Sequence, residues 1–289
     1  MERGFLSNSE LHTPRGRVYY YAAIAVLLLL AVVTLFPFFF AFTSGLKNST
    51  EIFSAGLNLL PEVPQWNNYS EAWVRFDMPR LLTNTLLVVG GSVILQLLVS
   101  TAAAYSLSQL KPAGGRFIMM GFLVTLMIPG IAYIVPLYLT IRDLPVIHVN
   151  LLDSYLGLWL PYSVSAFAIF VLKTFFDRIP GELLDSARVD GASPLQVFAH
   201  VVLPLSRSIL IVVAVLAFVN LWKEFLLPLL VLTDPATQPI TVRLIYLANN
   251  YGVNLQMAAS FIALLPPLLI AIVLQRHMAI GLTVGGIKG

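Results

Sequence analysis

The sequence contains no cysteine and only four histidines, which lie far apart along the chain. The lack of cysteine excludes disulfides and thiolate chemistry, and the wide spacing of the histidines leaves no local metal-ligating motif. Charged residues are also scarce, at 11% of the 289 residues, whereas hydrophobic residues make up 58%. A soluble domain of this length would have too few charges to cover its surface and more apolar side chains than it could bury. The composition therefore indicates a protein that resides in a lipid bilayer.

Several motifs of enzymes and energy-coupling proteins are absent as well. No segment fits the phosphate-binding pattern G-x-x-x-x-G-K-[ST], so no ATPase activity is assigned to the chain itself. No nucleophile elbow and no run of intramembrane carboxylates occurs, which argues against a membrane hydrolase and a proton-coupled carrier. The net charge of only +3 gives no reason to expect a nucleic-acid partner. We therefore expect a non-catalytic membrane protein that binds no metal or cofactor itself.

The chain contains apolar runs long enough to cross the hydrocarbon core of a bilayer at about 1.5 Å per residue. The first run is too long for a signal-peptide core and has no small-residue cleavage site, so it is expected to remain as a membrane anchor. No internal repeat and no soluble domain is visible, so residues 1–289 are predicted to form a single all-α membrane domain. The six predicted transmembrane helices cover residues 18–42, 81–110, 117–141, 155–176, 208–232 and 257–278.

The distribution of basic residues predicts the orientation of these helices. With both termini in the cytoplasm, most of the 17 Lys and Arg residues fall in cytoplasmic segments, as the positive-inside rule requires. Residues 178–205, between the fourth and fifth predicted helices, then face the cytoplasm. Lys223 and Glu224 differ from the other charged residues because they lie together inside a predicted span, where a lone charge costs about 3 kcal/mol.

The segment 178–205, with the sequence RIPGELLDSARVDGASPLQVFAHVVLPL, carries the start and stop signals of two short helices. Glu182 complements the positive end of a helix dipole in the first turn. Gly191 is suited to end that helix, because glycine readily takes the left-handed conformation. Residues 193–196 form a capping box that starts a second helix, which is expected to end at Pro204. The pattern predicts a helix–Gly–helix segment in the cytoplasm.

Two interpretations of this helix–Gly–helix segment are open. Leu195 and Phe198 have no obvious burial site in so small a loop, which favours a docking element for another protein. Alternatively, the loop folds back onto the ends of its own transmembrane helices. The physical chemistry of the residues does not decide between the two.

The same segment resembles the cytoplasmic EAA loop of ABC importer permeases, whose pattern runs roughly P-x-E-L-x-E-A-A-x-x-D-G-A, followed by F and then by L-P. Asp185 and Ser186 stand where glutamate and the first alanine are usual. The chain is similar along nearly its whole length to the maltose-type, carbohydrate-uptake branch, and within it to the second of the two permeases. The positions that match the loop pattern are Pro180, Glu182, Leu183, Ala187, Asp190, Gly191, Ala192, Phe198, Leu203 and Pro204.

This resemblance implies a function and a set of partners. The chain is expected to be one permease subunit of an ABC importer, multi-pass in the inner membrane of a bacterial or archaeal cell. Together with a second, homologous permease it would form the pathway for a sugar or oligosaccharide. Two ATP-binding subunits would bind ATP and Mg²⁺, and an extracytoplasmic solute-binding protein would deliver the solute. The alternatives are the same role for a non-sugar solute, or an unrelated channel or carrier.

The resemblance also implies roles for particular residues. The cytoplasmic tail, 281–289, is expected to contact the ATP-binding subunits through Gly285, Gly286 and Lys288, because glycines let an extended backbone approach another chain closely. The coupling loop, 178–205, is expected to contact the same subunits. The residues expected to make this contact are Glu182, Asp185, Ala187, Asp190, Gly191, Ala192, Leu195, Phe198 and Pro204.

The adjacent charges inside the fifth predicted helix have two explanations. In the first, Lys223 and Glu224 line the translocation path, and Trp222 or Tyr138 offers an aromatic face to a sugar ring. In the second, both charges lie near the outer interface and contact helix ends or the other permease. The sequence favours neither explanation.

Overall fold

The computed structural model describes residues 13–54 and 58–284 of the chain. In this part of the chain the regular secondary structure is helical, with a 3₁₀ turn at Gly130–Tyr133 and π-helical segments at Ser106–Leu110 and Phe198–Val202. The α-helices are α1 (Pro14–Gly45), α2 (Ser49–Ile52), α3 (Asn67–Arg75), α4 (Met78–Tyr105), α5 (Gly115–Thr125), α6 (Ile134–Arg142), α7 (Leu156–Tyr162), α8 (Ala166–Phe176), α9 (Gly181–Val189), α10 (Pro194–Val197), α11 (Leu203–Leu205), α12 (Arg207–Trp222), α13 (Leu226–Val231), α14 (Ile240–Ala248) and α15 (Val253–Val284).

The structure confirms six spans when each bent pair of helices counts as one span. Spans 1, 2 and 6 are continuous helices, at Arg15–Gly45, Met78–Leu110 and Val253–Gln275. Spans 3, 4 and 5 are bent by 98°, 46° and 78°. They consist of Gly115–Thr125 with Gly130–Arg142, Leu156–Tyr162 with Ala166–Phe176, and Pro194–Leu205 with Arg207–Trp222.

The helices predicted at 117–141 and 155–176 are each bent into two in the structure. Pro129 has no N–H and disfavours a helical conformation in the residue before it, so α5 ends ahead of this proline. In span 4 the backbone is extended at Ser165, and the Ser165 hydroxyl accepts a hydrogen bond from the N–H of Ala168 at 3.2 Å. This serine starts α8 as an N-cap, which separates it from α7.

The helix predicted at 208–232 is also divided, because α12 ends at Trp222 and α13 follows after a break. Pro228 explains the break. In a continuous helix its missing N–H would leave the carbonyl of Glu224 without a partner. In the structure this carbonyl accepts a hydrogen bond from Thr241 Oγ1 at 2.9 Å. On the other side of α12, the helical segment Pro194–Leu205 lies at 78° to it.

The chain divides into two compact units. Unit 1 comprises Met1–Val74 and Tyr251–Ile262, and unit 2 comprises Arg75–Asn250 and Ala263–Gly289. The helix α15 contributes to both units. A single membrane domain over residues 1–289 stays a prediction.

Unit 1 contains an aromatic cluster and a polar contact at the end of α1. The ring of Phe42 lies 6.3, 5.9 and 5.1 Å from the rings of Trp66, Tyr69 and Phe261. Burial raises the pKa of the Tyr69 hydroxyl, which donates a hydrogen bond to the carbonyl of Phe42 at 2.9 Å. Asn68 Nδ2 donates to two backbone carbonyl oxygens at the end of α1, both at 2.9 Å. By contrast, the most apolar stretch of α1 has no buried residue.

Unit 2 is organised around α4, which packs against α7, α8, α12 and α14. Gly91 of α4 lies against the indole ring of Trp159 so closely that a Cβ atom at this glycine would overlap the ring. The Trp159 Nε1 atom donates a hydrogen bond to the carbonyl of Leu87 at 3.1 Å. No atom lies within 4 Å of the Cβ position of the neighbouring Gly90. The contact of α4 with α7 therefore depends on one glycine of the pair.

The segment between spans 5 and 6, expected to be a loop, contains the helix α14. Residues of α4 hold the start of this helix in place. Asn84 Nδ2 donates a hydrogen bond to the carbonyl of Ala236 at 2.8 Å, and Thr85 Oγ1 accepts one from the N–H of Ile240 at 2.9 Å. These contacts, made by residues distant in sequence, explain why the helix was missed.

Asp153 joins the connection between spans 3 and 4 to the segment before α14. Its backbone is left-handed, with a φ of 56°. Its carboxylate accepts hydrogen bonds from the N–H of Asp234 at 2.8 Å and from the N–H and Oγ1 of Thr233 at 2.6 and 2.7 Å. These hydrogen bonds, that of the Asp234 N–H foremost, hold the pKa of Asp153 below its ordinary value. We refer to Asp153, Thr233 and Asp234 as the aspartate clasp.

Candidate coupling element and translocation cavity

Residues 178–205, here called the coupling element, form the predicted helix–Gly–helix structure. The helix α9 ends in a Schellman motif, in which the N–H of Gly191 donates to the carbonyl of Arg188 and the N–H of Ala192 donates to that of Ala187, both at 3.0 Å. Gly191 has a φ of 83°, as predicted. Because this conformation is costly for residues with a Cβ atom, the position favours glycine.

The second half of the coupling element begins at the predicted capping box. The N–H of Ser193 donates to Gln196 Oε1 at 2.7 Å, and the N–H of Gln196 donates to Ser193 Oγ at 3.4 Å. Pro204 does not end this helix, contrary to the prediction. A π-helical segment, Phe198–Val202, precedes the proline, and the helical chain continues to Leu205. The wider π turn accommodates a residue that cannot donate a regular helical hydrogen bond.

The inner face of the coupling element packs onto the molecule's own helices. Leu184, Val197 and Val202 are buried in a cluster with residues of α4, α8 and α12. The hydroxyl of Tyr105, at the end of α4, donates to the carbonyl of Pro194 at 2.8 Å. To this extent the second interpretation, a loop folded back on its own spans, describes the structure.

Phe198 belongs to this inner face. Its ring centroid lies 4.8 Å from that of Tyr105, and the side chain is partly buried. The expectation that Phe198 has no burial site within the chain is therefore wrong. The cause is Tyr105, which lies far away in sequence and could not be linked to the loop from local patterns.

The outer face of the coupling element is exposed and partly apolar. Leu195 is 73% exposed and Val189 is 87% exposed. Glu182, Asp185, Asp190, Gly191 and Pro204 are exposed as well, while Ala187 and Ala192 are partly exposed. Apolar side chains exposed beside charged ones, in a segment predicted to lie in the cytoplasm, are typical of a protein–protein contact. The docking interpretation thus remains open for this face. A shallow cavity of about 340 Å³ on this face is lined by Ala187, Asp190, Gly191, Ala192, Gln196, His200 and Val201.

The chain just before the coupling element is fixed to the end of span 2. Asp177 Oδ1 accepts a hydrogen bond from Ser108 Oγ at 2.6 Å, and Asp177 Oδ2 pairs with Lys173 Nζ at 2.6 Å. Gln109 Nε2 donates to the carbonyl of Phe176 at 2.8 Å. Polar contacts thus hold α8 against span 2 where the coupling element begins.

The four residues proposed for the translocation path occupy different environments. Trp222 is buried, stacks on Phe218 and donates from Nε1 to the carbonyl of Ala263 at 3.1 Å. Tyr138 is partly buried, and Lys223 is exposed at the end of α12. Glu224 is partly buried and lines a cavity, and its Oε1 accepts from the N–H of Leu226 at 3.2 Å.

Two cavities in unit 2 share the residues Tyr133, Pro161 and Tyr162. We call all the residues that line either cavity the cavity wall. The larger cavity has a volume of about 520 Å³ and the smaller one about 330 Å³. The larger is lined by Gln96, Thr125, Leu126, Ile128, Tyr133, Pro161, Tyr162, Val164, Ser165 and Ala166. The smaller is lined by Gly130, Ile131, Tyr133, Ile134, Leu137, Pro161, Tyr162, Glu224, Leu226 and Leu227.

Sequence reasoning missed Gln96, Tyr133 and Tyr162 as candidate site residues. A signal for the two tyrosines was present, because Pro129 and Pro161 lie near the places where spans 3 and 4 are interrupted. Gln96 had no comparable local signal, since it is a single polar residue inside a long apolar run. The proposed tail contacts Gly285, Gly286 and Lys288 lie outside the residues that the structure describes.

Known proteins identify the family to which this architecture belongs. Residues 96–282 match the family described as binding-protein-dependent transport system inner membrane component. The chain is 32% identical over 284 residues to the arabinooligosaccharides transport system permease protein AraQ of Bacillus subtilis (strain 168), which covers 96% of this chain and 99% of that protein. It is 34% identical over 269 residues to the sn-glycerol-3-phosphate transport system permease protein UgpE of Escherichia coli O6:K15:H31 (strain 536 / UPEC), with 89% and 93% covered.

A solved structure shares the fold. A chain of a bacterial ABC transporter involved in the import of the acidic polysaccharide alginate superposes with a TM-score of 0.78 over 94% of this chain and 99% of that chain, at 21% identity. The resemblance deduced from the residues 178–205 is thus confirmed by the family match and by the relatives. The chain belongs to the family of inner membrane components of binding-protein-dependent transport systems.

Proposed function

We propose that this chain is one permease subunit of an ABC importer and that it forms, with a second permease, the pathway for a sugar or oligosaccharide. Two ATP-binding subunits with ATP and Mg²⁺ would supply the energy, and an extracytoplasmic binding protein would deliver the solute. The observation that carries the proposal is the coupling element, whose inner face is packed on the spans while its outer face is exposed. The family match supports it.

The two faces of the coupling element suit the transmission of force. The outer face, with Val189 and Leu195, would dock on an ATP-binding subunit in the cytoplasm. The inner face is tied to α4 through the Tyr105 hydrogen bond and the ring of Phe198. When ATP closes the partner dimer, movement of the docked element would pull on the spans and switch the pathway from inward-facing to outward-facing.

The membrane orientation belongs to the same proposal. The family name places the chain in the inner membrane. The excess of Lys and Arg in the segments that include the coupling element favours a cytoplasmic location for both termini. In this orientation the aspartate clasp lies on the extracytoplasmic side, where the binding protein would dock.

The solute is proposed from the relatives and from the cavity wall. AraQ is named for arabinooligosaccharides and UgpE for sn-glycerol 3-phosphate, so the relatives by themselves leave both a neutral sugar and a phosphorylated polyol as candidates. The cavity wall favours the sugar, because the described residues that form it offer hydroxyl and amide groups and include no Lys or Arg. Import of a non-sugar solute is the second candidate, supported by the name of UgpE.

Substitution of an exposed apolar residue tests the docking role. Leu195→Glu should reduce co-purification of the ATP-binding subunit at least tenfold, because a charge would be placed in an apolar contact. Folding should be unaffected, because Leu195 is 73% exposed. Val63→Glu is the matched control, since Val63 is 66% exposed but lies between spans 1 and 2, on the extracytoplasmic side in the proposed orientation.

Two outcomes would contradict the proposed role. Normal binding of the ATP-binding subunit by Leu195→Glu, with coupled solute uptake, would show that this face is not the docking surface. Stoichiometric ATP hydrolysis by the purified chain alone would show that it is not a non-catalytic permease subunit.

A further inference from the structure

We propose that Gln96 and Tyr162 form a solute-binding subsite on the cavity wall, and that this subsite takes an uncharged, hydroxyl-rich solute. The inference rests on the proposed importer function and adds to it the residues that contact the solute and the charge of the solute. Four observations carry it. They concern Gln96, Tyr162, the interrupted backbone around the cavity and the charge of its lining.

Gln96 is a polar residue of α4 without a polar partner. It is 8% exposed and lines the larger cavity. No hydrogen bond joins its amide to any residue in the described part of the chain. Two other buried polar residues on α4 are satisfied by their own helix, since Ser92 Oγ donates to the carbonyl of Val88 at 2.7 Å and Thr101 Oγ1 donates to that of Leu97 at 2.6 Å. Because the Gln96 amide makes no such bond, its donors and its acceptor are available to a ligand.

Tyr162, at the end of α7, is the second unpaired group. Its hydroxyl is buried and finds no hydrogen-bond partner among the described residues. Tyr155, just before the same helix, behaves differently, because its hydroxyl donates to Asn84 Oδ1 at 3.1 Å. A buried hydroxyl without a partner is unfavourable. Since the Tyr162 hydroxyl is covered in this conformation, it would pair with the solute when the cavity opens during transport.

The larger cavity lies where two spans are interrupted. Thr125, Leu126 and Ile128 line it from the break in span 3, and Val164 and Ser165 line it from the break in span 4. Backbone that leaves the helical pattern at membrane depth is tolerated where it is buried in protein or lines a cavity that contains water. Interrupted helices also form the binding sites of other transporters. The breaks therefore indicate a polar passage and argue against a lipid-filled crevice.

The charge of the lining indicates the class of solute. Among the residues that the structure describes, those lining the larger cavity are amide, hydroxyl, aromatic and aliphatic, and none is charged. The smaller cavity adds the carboxylate of Glu224 and no basic side chain. A phosphate or carboxylate group on the solute would be expected to meet Arg or Lys. Sugar hydroxyls, in contrast, both donate and accept hydrogen bonds, as do the amide of Gln96 and the hydroxyl of Tyr162.

The test uses the complete transporter in proteoliposomes, with its second permease, ATP-binding subunits and solute-binding protein. Uptake is measured for three neutral oligosaccharides, arabinotriose, maltotriose and raffinose, and for sn-glycerol 3-phosphate. We expect uptake of a neutral oligosaccharide. Preferred uptake of sn-glycerol 3-phosphate would overturn the inferred subsite but leave the importer function standing, whereas uptake of none of the four solutes would overturn both the sugar proposal and the subsite.

Variants then test the two residues. Tyr162→Phe and Gln96→Leu should each lower the uptake rate about tenfold, the loss that corresponds to ~1.4 kcal/mol of solute binding. The melting temperature of the complex should not fall, because neither change breaks a hydrogen bond within the described part of the chain.

Tyr155→Phe is the matched control. It removes a hydroxyl that is hydrogen-bonded within the chain, so it should lower the melting temperature and leave the uptake rate of the remaining folded complex unchanged. If Tyr162→Phe and Gln96→Leu instead lower the melting temperature and leave uptake unchanged, both residues are structural and the subsite does not exist. Uptake by the unaltered complex would still support the importer function in that case.

Discussion

The coupling element and the cavity wall are assembled in different ways. Within the coupling element, the Schellman motif at Gly191 and the capping box at Ser193 are made by residues only a few positions apart. The cavity wall combines Gln96 of span 2, Thr125 of span 3 and Tyr162 of span 4. A local structure tolerates small shifts of the spans, whereas a wall built from several spans depends on how closely they pack. The two regions should therefore respond to different substitutions.

The largest effect is expected where the cavity wall depends on packing between spans. Gly91→Ala should lower the free energy of unfolding by about 2–3 kcal/mol, because its Cβ atom would overlap the ring of Trp159 on α7, the helix that carries Tyr162. Gly90→Ala is the matched control. It has free space at its Cβ position and should change the stability by less than about 1 kcal/mol, towards greater stability. Thermal unfolding of the purified complex measures both, and equal effects would disprove the close contact.

A smaller effect is expected on the inner face of the coupling element. Phe198→Ala should lower the stability by about 2 kcal/mol, below the usual range for a fully buried aromatic residue because Phe198 is only partly buried. Leu195→Ala, on the outer face, should change the stability by less than about 0.5 kcal/mol but weaken binding of the ATP-binding subunit. Unfolding and subunit co-purification distinguish the two faces. Equal loss of stability in both variants would contradict the assignment.

The conformation of Gly191 sets the next effect. Gly191→Ala should cost about 1 kcal/mol, because a residue with a Cβ atom is strained at a φ of 83° although the surrounding space is free. Gly181→Ala, where φ is not positive and the space is also free, is the control and should be close to neutral. The ratio of uptake to ATP hydrolysis should fall only for the Gly191 variant. A normal ratio would mean that the angle between the two short helices does not affect coupling.

The smallest effect is expected at the aspartate clasp, which lies outside the spans. Because the pKa of Asp153 is lowered in the folded chain, its stabilising effect is complete above the ordinary pKa of about 4 and is lost as the pH falls through the lower folded value. The protection of the N–H groups of Thr233 and Asp234 against hydrogen exchange, relative to an unstructured chain at the same pH, should therefore fall only in acid. In Asp153→Asn this protection should be lower at neutral pH as well. Exchange that does not depend on the Asp153 side chain would contradict the clasp.

The sequence predicted most of the coupling element because its determinants are local. Glycine at position 191, the serine cap and the proline at the start of the second helix each act on the backbone within a few residues. The two predictions that failed in the coupling element concern a contact distant in sequence and an unusual helical turn. The burial of Phe198 depends on Tyr105 in span 2, and the continuation past Pro204 depends on a π turn.

The spans were located by their apolar length, but their interruptions were not. Hydropathy measures how well a segment suits lipid and carries no information on where a helix breaks. The division of the helix predicted at 208–232 required knowing that Thr241 could satisfy the carbonyl of Glu224. The cavity wall was missed for the same reason, since the proximity of Gln96 to Tyr162 is a property of packing between spans. The path residues proposed from the sequence, except Glu224, do not line either cavity.

The exposure of α1 has a consequence for biogenesis. The most apolar stretch of α1 has no buried residue, whereas 33% of the corresponding stretch of span 2 is buried. When α1 leaves the ribosome, this apolar stretch needs no contact with later helices, so it is stable in lipid as soon as it is inserted. Span 2 carries Asn84 and Gln96 and reaches its native surroundings only after the following spans have been synthesised. The apolar stretch of α1 is therefore stable in the membrane as soon as it is inserted, whereas span 2 gains its contacts only when the later spans are present.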